Sequence, residues 1–136
     1  MTARLIVIQG APGSGKTTLA EGLSRQLSYP IVSKDTLKEA LGESLTVATV
    51  ADSMIIGKAA IAAMYAATSA YLTNDRSCII ESAFVAEFAN SDMKKLLQET
   101  GAAALQLYCS VAEGERVRRF NERYASGSRH AVHFDA

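Results

Sequence analysis

The stretch Gly10-Ala11-Pro12-Gly13-Ser14-Gly15-Lys16-Thr17 carries the clearest chemistry in this chain. It fits the pattern G-x-x-x-x-G-K-[ST] without a mismatch, between an apolar run and a helical pattern. Each residue type has a reason. Glycines let the backbone bend around an anion and turn its N–H groups inward. A helix starting at Gly15 adds the positive end of its dipole. Lys16 is long enough to reach β- and γ-phosphates, and the Thr17 hydroxyl suits Mg²⁺. Thr18 adds a hydroxyl near the α-phosphate. The expected ligands are ATP and Mg²⁺. The motif speaks for binding and leaves the reaction open, because the same loop serves switches, motors and kinases.

Three further residues qualify for the same site. Asp35 follows a short apolar pair, Ile31-Val32, where an α/β sheet gathers its ligands. It suits acceptance of a proton from an attacking hydroxyl, or a helix cap, and the two roles are compatible. Lys38, one turn on, could meet an anionic acceptor, but a solvated helix position is the favoured reading. Glu81 closes the run Cys78-Ile-Ile-Glu81. A carboxylate there can hold a Mg²⁺-bound water, although aspartate is more usual. Binding of an acceptor together with Ser82 and Phe84, or a plain strand-end charge, are its other readings.

Arginines crowd the C-terminal region at Arg116, Arg118, Arg119, Arg123 and Arg129. Arg116, Arg119 and Arg123 share a helix face. Charge developing on a transferred phosphoryl group is commonly met by arginine. Residues 116–133 therefore read as a lid, with Arg119, Arg123 and Arg129 catalytic and with Arg116 and Arg118 on a solvated face. His130 and His133 lack a third ligand, so loop ordering or substrate contact is expected in place of zinc.

These groups need a scaffold, and the pattern supplies one. Arg4–Gln9 reads as a buried parallel strand. A helix follows from Gly15 to about Leu27 and stops before Pro30. Ile31-Val32 is a minimal strand. A second helix starts near Ser33–Asp35 and ends at Gly42. A long helix covers 52–73, with Asp52 or Ser53 near its start and Met54, Ile61, Met64 and Tyr71 on one side. Ser77–Glu81 is a third strand. A helix capped by Asn90 or Ser91 ends at Gly101. Ala103–Tyr108 is a fourth strand, and Ser110-Val-Ala-Glu113 has capping-box spacing for a last helix. Alternating strands and helices imply a parallel sheet covered on both faces, an α/β three-layer architecture. Residues 44–72 and 82–90 are the expected acceptor lining.

Size and charge bound the reading. At 136 residues, the chain is expected to form a single domain, 1–136. Formal charge is zero, which argues against a general nucleic-acid or membrane-surface coat. The Ala-rich run from 59 to 72 reads as a packed helix and not a membrane span. Residues 1–8 are too short for a signal peptide. Cys78 and Cys109 read as buried free thiols of a cytoplasmic protein.

The whole pattern resembles small P-loop kinases of the AAA-domain/zeta-toxin-like group, which includes chloramphenicol phosphotransferase, gluconate kinase and polynucleotide kinase domains. GAPGSGKTT matches the phosphate loop of that group. SKDTLKEAL matches the segment bearing its acceptor-activating aspartate, here Asp35. RRFNERYASGSRHAVHFD resembles its arginine-bearing lid and R-H-P-G-H-x-D signature, with Ala131 and Val132 in place of Pro and Gly. The resemblance implies a P-loop NTPase fold, with a fifth strand beyond Ala136 whose loop helps hold adenine. Either the domain is short or that part is missing. It also implies transfer of the γ-phosphate of ATP to a hydroxyl of a small molecule. A polynucleotide 5′-hydroxyl kinase, for which nucleic acid would be the partner, and a nucleotide-binding module without transfer are the competing readings.

Overall fold

The computed structural model describes residues 2–83 and 86–110, with only the backbone described for 86–90. The expected lid, its arginines, His130 and His133, and the helix after Ser110 lie outside the described residues. The elements run β1 (Arg4–Gln9), α1 (Lys16–Leu27), β2 (Ile31–Ser33), α2 (Lys34–Ser44), α3 (Val50–Thr73), β3 (Cys78–Ser82), α4 (Ala86–Thr100) and β4 (Ala103–Tyr108). The four described strands are parallel in the order β2-β3-β1-β4.

Alternation along β1 builds the three layers. Leu5 and Val7 join Val32, Met64, Leu72, Cys78, Ile80 and Leu96 in one apolar cluster. Ile6 and Ile8 point the other way, to Ala20 and Ile79, with Leu23 and Leu107 packed alongside. One face of the sheet therefore carries α3 and α4, and the other carries α1. A strand covered on both faces needs an unbroken apolar run, as Leu5–Ile8 supplies.

Sequence order and sheet order differ in one informative way. The chain leaves β1 for β2, skipping over the position of β3, and later leaves β3 for β4 on the far side of β1. The crevice between the C-terminal ends of β1 and β3 is where the connections diverge, and such switch points are where α/β sheets bind ligands. In the register, Ile8 pairs with Glu81 and Gln9 with Ser82. The phosphate loop after Gln9 and the carboxylate of Glu81 thus flank one crevice.

Several boundaries depart from the sequence reading. Helix α2 continues through Gly42 to Ser44, because nothing after Gly42 supplies a competing cap, and Leu45 donates its N–H to Leu41. Helix α3 begins at Val50, capped by Thr49. The Thr49 hydroxyl accepts from Asp52 N, and Asp52 accepts from Thr49 N, which makes a complete capping box. Helix α4 begins at Ala86, earlier than Asn90 or Ser91. The expected Gly101 terminator holds: its φ is 69° and its N–H reaches Leu97 O at 2.9 Å.

The inward face of α3 is also rotated from the expected one. Ser53, Ile56, Gly57, Ala60, Met64, Thr68 and Leu72 are buried, while Met54 is 63% exposed. Small residues let α3 lie close to α2, and the buried Thr68 hydroxyl is satisfied by Met64 O at 2.7 Å. By length and composition alone α3 could cross a membrane. Here Met64 and Leu72 are packed in the core, on the β1/β3 cluster.

Candidate active site

The phosphate loop is shaped by its glycines. Gly13 and Gly15 have φ of 82° and 90°, left-handed values that a side chain would strain. Gly15 is the N-cap of α1 and provides no side-chain cap. The first N–H groups of α1, starting with Lys16 and Thr17, therefore have no intrahelical partner and face the loop with the positive helix end. Gly10 serves a different purpose. A Cβ there would lie 2.5 Å from Ser14 Oγ and 2.7 Å from the Cys109 carbonyl oxygen. The glycine lets the loop close against the end of β4, where Cys109 N donates to Gln9 O at 2.8 Å. Ala11 and Pro12 form the outer bend, held by Ser14 N donating to Ala11 O at 3.1 Å. Thr18 is exposed on the first turn of α1.

Two polar groups of the loop are buried. Lys16 is 7% exposed. Ser14 Oγ is buried with no hydrogen-bond partner among the described residues. A buried hydroxyl left unpaired costs roughly 1–3 kcal/mol, which a hydrogen-bonding ligand would offset.

Glu81 is the centre of the polar arrangement. It is 4% exposed at the end of β3. Its Oε1 accepts from Thr17 Oγ1 at 3.1 Å and lies 3.8 Å from Lys16 Nζ. Its Oε2 accepts from Ser33 Oγ at 2.9 Å. A plain strand-end charge is thereby excluded: the carboxylate ties α1, β2 and β3 together. Sequence spacing places Glu81 beside the loop but gives no sign of Ser33 as its partner. The signal was the register, Ser33 opposite Glu81, which only the sheet order reveals. A cavity of about 240 Å³ opens beside these groups, lined by Thr17, Glu21, Ser33, Thr36, Leu37 and Glu81.

Asp35 sits in the first turn of α2, where a carboxylate complements the helix dipole. It does not cap the helix; Ser33 does, accepting from Thr36 N at 3.4 Å. Asp35 Oδ1 lies 3.6 Å from Lys34 Nζ, with the carboxylate about a third exposed. Lys38 departs from the solvated position expected of it. It is 8% exposed, and a Cβ on Gly57 of α3 would stand 3.8 Å from its Nζ. Helix α3 therefore packs over this side chain, with Gly57 at ordinary contact distance from it.

The α3 residues expected to line an acceptor pocket are divided. Lys58, Ile61, Tyr65 and Ala66 line a cavity of about 490 Å³ shared with Asp92 and Glu99 of α4, away from the phosphate loop. The Tyr65 hydroxyl there is pushed up to about 12, first by burial and then by the Asp92 charge. Cys78 is buried, as expected, and burial pushes its thiol up to about 11. Cys109 is only half-buried beside the loop. Burial raises its pKa, with Lys16 opposing and Glu81 adding to the shift.

The donor set fits a nucleotide and a hydrated divalent cation. Among the described residues no cluster of three or more His, Cys, Asp or Glu could cage a metal by itself. Mg²⁺ needs no such cage, since it keeps several waters and takes one or two protein oxygens beside substrate phosphates. The Thr17 hydroxyl and the Glu81 carboxylate, hydrogen-bonded at 3.1 Å, are such oxygens.

Comparison with known proteins bears on the family and the fold. The family model described as AAA domain matches residues 5–136. A crystal structure of a candidate kinase from Chloroflexus aurantiacus superposes with a TM-score of 0.97 at 32% identity, over 100% of this chain and 74% of that one. The Mycobacterium tuberculosis APS kinase CysC gives 0.70 at 16% identity, over 92% of this chain and 72% of that one. A chain of the Pnkp1/Rnl/Hen1 complex gives 0.70 at 22% identity, with 87% of this chain covering 39% of that one. The last two likenesses concern the fold. No curated protein matches the chain. On the family match and the 32% identity with the candidate kinase, the chain belongs to the AAA domain family, within its small P-loop kinase-like group.

Proposed function

We propose that this chain is a phosphotransferase that moves the γ-phosphate of ATP to a hydroxyl of a small molecule. The observation that carries this reading is the pair of carboxylates at one sheet edge: Glu81, buried against Thr17 and Lys16, and Asp35, two residues beyond the Ser33 that donates to Glu81. A switch or a simple binding module needs the loop. The further requirement of transfer is an acceptor held by a carboxylate at the same sheet edge, and Asp35 supplies that group.

In this reading the loop from Gly10 to Thr18 wraps the triphosphate, with Lys16 between the β- and γ-phosphates. Thr17 and Glu81 are the residues that would hold Mg²⁺, Glu81 by way of water, and the ion, when bound, would neutralise charge on the phosphate oxygens. Asp35 accepts a hydrogen bond from the acceptor hydroxyl and orients it. The new bond joins the acceptor oxygen to the γ-phosphorus as the bond to the β–γ bridging oxygen breaks. The hydroxyl proton passes to Asp35, and ADP leaves with the bridging oxygen's negative charge. Arg119, Arg123 and Arg129 are assigned to a lid over the transferred group, as arginines are in comparable reactions.

The test is a γ-phosphate transfer screen against sugars, antibiotics, nucleosides and oligonucleotides, with Asp35→Asn as the paired variant. Transfer to one class, lost in Asp35→Asn with ATP affinity within about two-fold of the parent, is the expected outcome. Near-normal transfer by Asp35→Asn would remove that residue from the chemistry. Tight ATP binding with no transfer to any class would leave a nucleotide-binding module. Transfer confined to oligonucleotides would replace the small-molecule acceptor by a 5′-hydroxyl end.

A further inference from the structure

Ser33 belongs to two structures at once. It is the last residue of β2 and the N-cap of α2. Its hydroxyl donates to Glu81 Oε2 at 2.9 Å, and the same oxygen accepts from Thr36 N at 3.4 Å. A hydroxyl has one proton and two lone pairs. The proton is committed to Glu81, so the direction of the hydroxyl, and with it the cap on α2, follows the carboxylate. The short bond is the one to Glu81, and the long one is the cap. The carboxylate therefore dominates the geometry.

Glu81 in turn answers to the nucleotide site, because its other oxygen is held by Thr17 Oγ1 and faces Lys16 Nζ. Asp35 lies two residues beyond Ser33 in the first turn of α2, the turn that the cap orders. One continuous path of polar contacts thus runs from α1 through β3 and β2 to the start of α2, ending two residues before the acceptor carboxylate. We propose that Ser33 is a positioning residue that couples occupation of the Mg²⁺–nucleotide site to the first turn of α2, so that Asp35 is set for the acceptor when Thr17 and Glu81 are engaged. The proposal rests on the functional reading above. It requires that Thr17 turn from Glu81 toward a ligand, which frees Oε1 and lets the carboxylate and the Ser33 hydroxyl settle together. By linkage, an acceptor held by Asp35 tightens the metal–nucleotide complex by the same factor.

The discriminating variants are Ser33→Gly and Ser33→Thr. Glycine is nearly as good an N-cap as serine but has no hydroxyl for Glu81. Threonine keeps both the hydroxyl and the cap. Backbone amide exchange at residues 34–37 is followed with AMPPNP alone and with AMPPNP plus Mg²⁺, while calorimetry records AMPPNP affinity for each variant. In the parent protein, Mg²⁺ added to the AMPPNP complex is expected to slow exchange at these amides about five-fold, a typical coupling magnitude. The increment should vanish in Ser33→Gly and return in Ser33→Thr. A helix weakened for structural reasons alone would exchange faster with and without Mg²⁺ and leave the ratio unchanged. Normal Mg²⁺–AMPPNP binding with the full increment retained in Ser33→Gly, or with no increment in the parent, would overturn the coupling and leave the kinase reading standing. No binding of AMPPNP to the parent would overturn both.

Discussion

Replacing Glu81 by glutamine removes one charge and almost no volume, and its cost can be worked from the geometry. Lys16 Nζ stands 3.8 Å from Glu81 Oε1, and the two side chains are 8% and 5% exposed. At an effective dielectric of about 20, unit charges at that distance attract by about 4 kcal/mol. The glutamine oxygen keeps one hydroxyl partner. Its NH₂ group, however, faces the other of two hydroxyls that donate to the native carboxylate, Thr17 or Ser33. That hydroxyl must turn to accept. Lys16 is then left buried without its counter-charge. Breaking a buried pair from one side typically costs 3–5 kcal/mol, which puts the loss here at about 3 kcal/mol at the lower end of that range. With an unfolding entropy near 2.1 cal/mol/K per residue and 136 residues, that lowers Tm by about 10 °C. Urea denaturation of the ligand-free protein should show the loss as a lower midpoint with an unchanged slope. The Lys16→Met/Glu81→Gln pair should be less destabilised than the sum of its single variants, because removing both charges removes the uncompensated one. A Glu81→Gln variant within about 0.5 kcal/mol of the parent, well below the buried-pair range, would show that the carboxylate is not the counter-charge on which Lys16 depends.

Two glycine substitutions should act with opposite signs. Gly22→Ala in α1, where a Cβ meets nothing within 4 Å, should stabilise the protein by roughly 0.8–1 kcal/mol through helix propensity. Gly101→Ala, equally unobstructed but at φ +69°, should destabilise it by roughly 1–2 kcal/mol, and thermal melts of the two variants would check the contrast. Asp52 accepts from Ala48 and Thr49 in the α3 capping box, and these hydrogen bonds hold its carboxyl below the ordinary aspartate value. Its contribution is therefore present above the unfolded pKa, about 3.9, and fades as pH falls through the lower folded value. The stability gap between the parent and Asp52→Ala should be full at pH 7 and shrink on acidification below about pH 4; a gap that is flat with pH would refute the assignment. A thiol reagent at pH 8 should modify Cys109 in the native protein and reach Cys78 only after denaturant is added, as mass spectrometry of the labelled chain would show.

The phosphate loop, the four strands and the helices between them were legible in the sequence because each depends on short-range rules. The run from Leu5 to Ile8 has to be a strand covered on both sides, and Gly13, Gly15 and Lys16 have to follow it in a loop that opens a helix. The family match over residues 5–136 and the parallel sheet agree with that reading. What local pattern left open concerns residues whose environment is set by a distant segment. Lys38 looks like any helical lysine until α3, with Gly57 nineteen positions on, is seen to pack over it. The inward face of α3 cannot be read from hydrophobicity, because close packing on α2 favours Ser53 and Gly57 over Met54.

Sequence alone determined that an anion-binding loop joins a buried strand to a helix, because spacing and residue type within eight positions dictate backbone curvature and charge. Tertiary structure alone decided that Glu81 meets Thr17, Lys16 and Ser33. These residues lie 48 to 65 positions from Glu81 along the chain and become neighbours only because β3 inserts between β1 and β2. The order of strands in a sheet is fixed by the packing of the whole chain, and no local stretch encodes it.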